Sequence, residues 1–166
     1  MTHREHRYAV RLDWTGNLGS GTSSYRGYSR DHRLGAGDKP AIPGSADPAF
    51  RGDPARWNPE ELLVAALSSC HQLWYLHLCA AAGIVVTAYA DEAEGVMVEE
   101  SSGAGQFSAV VLRPRVTLAP GAGAADMEKA LALHHEAAEK CFIARSVNFP
   151  VRHEPAVGVE VEVSAG

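Results

Sequence analysis

Cysteine is scarce in this chain: there are three in 166 residues, at positions 70, 79 and 141. Three are too few for a disulfide scaffold. The odd count points to a free-thiol role for at least one, against the plain alternative that all are small buried hydrophobes. An excess of positive charge is missing as well. Fifteen Lys and Arg stand against 20 Asp and Glu, a formal charge of −5. That is the wrong balance for a nucleic-acid binder, which usually carries a basic patch. Nor is there an unbroken apolar run. The longest candidate, Leu62 to Val86, is interrupted by Ser68, Ser69, His71, Gln72 and His77, so no membrane span is expected. The first residues, from Met1 to Arg7, are polar and lack the apolar segment of a secretory leader. The expectation is a cytoplasmic protein with neither nucleic acid nor membrane as partner. No internal repeat is visible, and the length fits a single domain, 1–166, with room for a core.

Patterning sets the expected elements. Arg7 to Trp14 alternates apolar and polar residues and predicts a half-buried strand. Gly16, Gly19 and Gly21 mark a loop, with Thr22 to Tyr28 as a candidate second strand. From about Leu34 to Trp57 the chain is rich in Gly, Pro and Asp and predicts a long loop, anchored by Phe50 and Trp57. Asn58-Pro59-Glu60-Glu61 then predicts a helix start: Asn58 to cap, Pro59 at the first position, Glu61 where a capping box places its acid. That helix should run to Gly83. It is apolar around most of its circumference, as in a helix at the centre of a core. Ile84 to Met97 and Gln106 to Leu118 predict strands, with an edge or bulge at Pro114. Asp126 to Cys141 predicts a second helix, striped by Met127, Leu131, His134, Ala138 and Cys141. Val157 to Val163 alternates as a last strand. The order implies an α+β fold with a mostly antiparallel sheet. A first helix apolar on nearly every side suggests cover from a second subunit.

Helix geometry separates the cysteines. Cys70 and Cys79 lie nine residues apart on one predicted helix, about 13 Å along its axis and on opposite faces. A disulfide needs Cα atoms within about 7 Å, so these two do not bridge and Cys79 is expected to be a packing residue. Cys70 and Cys141 fall on different helices, which allows a pairing without requiring one. Cys141 ends its helix, where the dipole disfavours a thiolate, and suits a resolving thiol better than a primary nucleophile. Cys70 is mid-helix. If it is reactive, a cation must lower its pKa, and an arginine, always charged, suits that task.

The run Asn58-Pro59-Glu60-Glu61-Leu62-Leu63-Val64-Ala65-Ala66-Leu67-Ser68-Ser69-Cys70-His71 resembles the OsmC/Ohr helix that carries the peroxidatic cysteine. Ala137-Ala138-Glu139-Lys140-Cys141 resembles the end of the second helix of that family, with its other cysteine. The resemblance covers most of the chain from Asn58 onward. It implies an intertwined homodimer in which antiparallel sheets wrap two central helices, with active sites at the subunit interface. It also implies a two-cysteine peroxidase for organic hydroperoxides, serving oxidative stress defence with a thiol or dithiol reductant and no cofactor. Carried over by motif, Cys70 would be peroxidatic, Cys141 resolving, and Glu60 the acid that positions an arginine. Arg51 matches that arginine best, with Arg30 and Arg56 as alternatives. Glu60 precedes Cys70 by ten residues, about 15 Å along the axis, so it would act through the arginine or across a subunit interface. Favouring a helix N-terminus is its plain alternative. One departure follows the second cysteine: Cys141-Phe142-Ile143-Ala144 stands where the family commonly has Cys-Pro-x-Ser.

Two other functions compete. Cys70, His71, His77, His134 and His135 supply metal-ligating atoms but show neither CxxC nor HExxH spacing. A non-catalytic dimeric member of the fold, binding a small molecule between apolar helices, is the other.

Overall fold

Asn58 does start a helix. In the computed structural model, which describes residues 4–161, α1 spans Pro59–Ala81. Asn58 Oδ1 accepts from the Glu61 N–H at 2.8 Å, and Glu61 Oε2 accepts from the Asn58 N–H at 3.2 Å. The capping box therefore closes in both directions. Gly83, at φ 74°, lies just past the end of the helix in a conformation that strains any other residue.

The chain divides into two compact units, Met1–Leu63 and Val64–Gly166. In the first, β1 (Arg11–Trp14), β2 (His32–Gly35) and β3 (Ile42–Gly44) form an antiparallel sheet in chain order. The strand expected over 22–28 is absent. Asn17 Oδ1 accepts the N–H groups of Gly19 and Gly21, and the Arg30 guanidinium donates to the carbonyls of Tyr25 and Tyr28. These local bonds satisfy backbone groups that a strand would have offered to a ladder. The expected loop over 34–57 is also partly regular. It contains β3 and a 3-10 turn at Pro48–Phe50. Trp57 and Gly44 form an isolated bridge, in which Trp57 donates to the Pro43 carbonyl and accepts from the Ser45 N–H.

The second unit holds the greater part of α1, then β4 (Val86–Asp91), β5 (Glu94–Glu99), β6 (Gly105–Leu112), β7 (Pro114–Leu118), α2 (Ala124–Lys140), β8 (Val151–His153) and β9 (Ala156–Val159). These strands make two three-stranded sheets, β4-β7-β9 and β5-β6-β8. The β4–β7 and β5–β6 pairs are antiparallel, and the β6–β8 and β7–β9 pairs are parallel. The class is α+β as expected, with mixed rather than wholly antiparallel sheets. The stretches 84–97 and 106–118 each divide between the two sheets. The division falls where Asp91 accepts the Arg113 N–H at 2.6 Å and the Ser68 hydroxyl. Next to it, buried Pro114 has no N–H for a continuous ladder. The last strand ends earlier than its valine alternation implied, and Glu162 and Val163 lie outside the described residues.

Two apolar clusters fill the second unit. One joins Tyr75, Leu78, Cys79, Ile84, Val116, Leu118, Ala130 and Ala137; the other joins Leu67, Val110 and Leu112. The buried residues of α2 are Ala130, His134 and Ala137; of the expected stripe His134 and Cys141 are buried, while Leu131 is exposed. On α1 only Leu67, His71, Tyr75, Leu78 and Cys79 are buried, and Leu73 is 66 % exposed. Its apolar circumference is therefore only partly covered by this chain. Length and composition alone would let α1 cross a membrane. However, Ser68 and His71 on it are hydrogen-bonded to Asp91 and His134 within the second unit.

Candidate active site around Cys70 and Cys141

The fold brings together two thiols that are 71 positions apart in sequence. Cys70, two turns into the second-unit part of α1, is half-buried; Cys141, the C-cap of α2, is 1 % exposed. Both are free, and the two side chains are neighbours. Burial, and then the contact with Cys70, pushes the Cys141 thiol up to about 11, while the Ala144 N–H, 3.4 Å from Sγ, pulls the other way. At neutral pH Cys141 is therefore a thiol, not a thiolate. The turn that delivers the Ala144 N–H is the Phe142-Ile143-Ala144 segment, running into a 3-10 turn at Ala144–Ser146. It supplies a backbone donor to the sulfur without the proline common in the family. Cys79 sits in the larger core cluster, and burial raises its pKa also.

The candidate arginines separate cleanly. The Arg30 guanidinium is held by the Tyr25 and Tyr28 carbonyls and lies over both rings, 4.4 and 4.1 Å from their centroids. Arg56 pairs with Asp53 and Asp31. The Arg51 side chain makes no hydrogen bond or ion pair among the described residues, and it is exposed. Its backbone is the one non-glycine position described with positive φ, at 67°. The turn beneath it is tightly determined. Asp47 caps Ala49 at 2.7 Å, Arg51 N–H donates to Pro48, and Gly52 N–H donates to the Asp47 carbonyl. A Cβ on Gly52 would overlap the Ala46 carbonyl oxygen. Backbone strain held by surrounding contacts in this way is common at functional positions. Glu60 lies in the first turn of α1. Glu61 does the capping, so the half-buried Glu60 carboxylate is left without a hydrogen bond or ion pair among the described residues.

Three histidines complete the neighbourhood. His71 Nε2 and His134 Nδ1 are 3.0 Å apart, with their rings stacked. His153 on β8 stacks against His71 with ring centroids 5.7 Å apart, and the Tyr75 ring stacks on His134 at 3.8 Å. Burial, then repulsion from its neighbours, lowers His71 to about 4 and His134 to about 3; burial also lowers His153. The sequence offers no pattern linking positions 71, 134 and 153, and no motif in it singles out His153. The metal set weighed from the sequence is not assembled. His77 packs on Trp74, and His135 pairs with Glu139 on the exposed side of α2. Among the described residues, no three His, Cys, Asp or Glu side chains are arranged to hold a metal.

The family model for OsmC-like protein matches residues 52–155, a span that includes Cys70, Cys141 and Glu60. The chain belongs to the OsmC-like family. Among solved structures it is similar to an OsmC-like protein of unknown function from Vibrio cholerae. That protein is 33 % identical with a TM-score of 0.81, over 92 % of this chain and 100 % of the other. An organic hydroperoxide resistance protein from Legionella pneumophila shares the OsmC-like fold at 15 % identity and TM-score 0.65, over 96 % and 100 % of the two chains. So does an organic hydroperoxide resistance protein from Elizabethkingia anophelis, at 16 % and 0.64, over 95 % and 100 %. No curated protein matches the chain.

Proposed function

We propose that this OsmC-like protein is a cytoplasmic, homodimeric, thiol-dependent peroxidase that reduces organic hydroperoxides, and hydrogen peroxide less well, in oxidative stress defence. The observation that carries this is the apposition of Cys70 and Cys141 from two helices. In the first step the Cys70 thiolate attacks the peroxide oxygen. The O–O bond breaks, the alkoxide leaves and takes a proton from water to become an alcohol, and Cys70 becomes a sulfenic acid. Cys141 then displaces hydroxide from Cys70 Sγ, giving a Cys70–Cys141 disulfide and water, and an external thiol or dithiol restores both thiols.

Arg51 is the residue we assign to stabilise the Cys70 thiolate and hold the peroxide, since Arg30 and Arg56 are already engaged by other partners. A guanidinium stays charged and presents a planar fork of donors. Glu60, which has no partner among the described residues because Glu61 does the capping, would orient that fork. The half-covered apolar surface of α1, with Leu73 66 % exposed, supports a second copy as its cover, with the whole chain acting as one domain.

The test is one equivalent of organic hydroperoxide added to the reduced protein, followed by mass measurement of the peptides. A Cys70–Cys141 disulfide is expected. Unmodified thiols after that treatment would favour a non-catalytic binder of the same fold. Light scattering should give a dimer at micromolar concentration.

A further inference from the structure

A small, partly open cavity of about 40 Å³ adjoins Cys141. Its walls are Leu67, Leu112, Ala138, Ala144, Val151 and Arg152, together with Cys141, His71 and His153. The space suits one water molecule, and a buried water needs two to four polar partners to be held. Cys141, His71 and His153 are the candidates among its lining residues. Around this space, His71 is 1 % exposed and its Nε2 is taken by His134. His153 is half-buried and is the more exposed of the two imidazoles. Apolar cavities stay dry, but this one is lined by a thiol and two imidazoles as well as by apolar side chains.

We propose that His71 and His153 hold a water in this cavity that takes the proton of Cys141 as its sulfur attacks Cys70. The inference rests on the peroxidase function proposed above and assigns the proton path of its second step. Cys141 must lose a proton to attack, yet it is a thiol held well above neutral pH. The S–S bond forms as the S–O bond of the sulfenic acid breaks. The Cys141 sulfur is oxidised and the Cys70 sulfur reduced, so no further oxidant is needed. The expelled hydroxide leaves on the half-exposed side of Cys70 and takes a proton from solvent. The Cys141 proton moves through the water to an imidazole and out by way of His153. Burial disfavours a charged imidazole, so the proton passes on and does not accumulate. His71 and His153 are thus positioning residues acting through the water.

The ionisable groups around the cavity are His71 on α1, His134 and His135 on α2, His153 and Arg152 on β8, and Asp91 on β4, besides the two thiols. Asp91 favours a charged His71, while burial and His153 oppose it.

The experiment follows both steps separately after mixing reduced protein with one equivalent of tert-butyl hydroperoxide. Dimedone trapping reports the Cys70 sulfenic acid, and quenched mass measurement reports the disulfide, across pH 6 to 8. In the unsubstituted protein the disulfide step should vary little with pH. In His71→Leu and in His153→Phe, which retains a stacked ring, sulfenic acid should form at a rate within about twofold of the original. The disulfide step should be slower by about tenfold or more at pH 7 and should rise roughly tenfold per pH unit, because the Cys141 thiolate must then form unaided. A resolving step with unchanged rate and pH profile in both variants overturns the water relay and leaves the peroxidase function intact. If His71→Leu loses sulfenic acid formation as well, its core is damaged and His153→Phe decides. If the unsubstituted protein never oxidises Cys70, both the function and the relay are overturned.

Discussion

The turn around Arg51 and the pocket around Cys141 are built from different materials. Arg51 stands on a short exposed turn of the first unit, fixed by Asp47, the Pro48 carbonyl and a glycine that tolerates no side chain. Cys141 stands among alanines, leucines and stacked imidazoles of the second unit, fixed by burial. A polar turn holds a charged side chain out in solvent, where its charge costs nothing in desolvation. A packed core holds a thiol neutral. The proposed peroxidase needs both, a permanent cation for the first step and a reserve thiol for the second, and each kind of surrounding suits one of them.

Removing the thiols breaks this comparison most severely. Cys70→Ser should abolish peroxide consumption outright. Cys141→Ser should allow one turnover and leave a sulfenic acid on Cys70, detected with dimedone. Cys79→Ala should leave both steps nearly unchanged, because its sulfur faces the core. Equal loss in all three would mean that the substitutions damage folding rather than chemistry.

Next in size is the arginine. Arg51→Met should slow peroxide reduction by about 100-fold and shift iodoacetamide alkylation of Cys70 to higher pH, with a smaller defect for Arg51→Lys. Arg30→Met should loosen the 17–30 loop, whose carbonyls it holds, without shifting the alkylation profile. A profile that moves for Arg30 or Arg56 but not for Arg51 would reassign the residue. One that moves for none would remove arginine activation altogether.

Acid should act on the packed side. His71 and His134 are lowered to about 4 and about 3 in the fold, against an ordinary value near 6.5. The unfolded chain therefore takes up protons first as pH falls, and stability drops between about pH 6.5 and about pH 3 to 4. Below that window both states are protonated and the loss is complete. The total is on the order of a few kcal/mol, measurable as a fall in the urea midpoint. His134→Phe should flatten the curve.

The smallest effects sharpen the account of the turn. Gly52→Ala should destabilise by about 1 to 3 kcal/mol, since its Cβ meets the Ala46 carbonyl. Arg51→Gly should do the reverse, raising stability by about 1 kcal/mol or less by relieving the positive φ, while activity falls as in Arg51→Met. A thermal melt paired with a peroxidase assay reads both. Lower stability in Arg51→Gly would mean that the side chain supports the turn and is not merely carried by it.

The residues that specify local structure were legible in order. Asn58, Pro59 and Glu61 set the start of α1, Gly83 marked its end, and the motif around Cys70 pointed to the family, because caps and motifs act over a few neighbouring residues. The pattern over 22–28 suits a strand, but Arg30 withdraws the carbonyls of Tyr25 and Tyr28 from any ladder. The division of 84–97 and 106–118 between two sheets falls at Asp91, which accepts the Arg113 N–H across 22 positions and the Ser68 hydroxyl. Sequence alone thus determined the class of fold, the first helix, its family motif and the candidate thiols. Tertiary structure alone decided that Cys141 meets Cys70 as a buried thiol, that among the described residues the Arg51 guanidinium has no partner while those of Arg30 and Arg56 do, and that His71, His134 and His153 share one site. Capping and periodicity are encoded within a turn or two of chain. Burial, pairing and proton affinity depend on residues that only folding brings side by side.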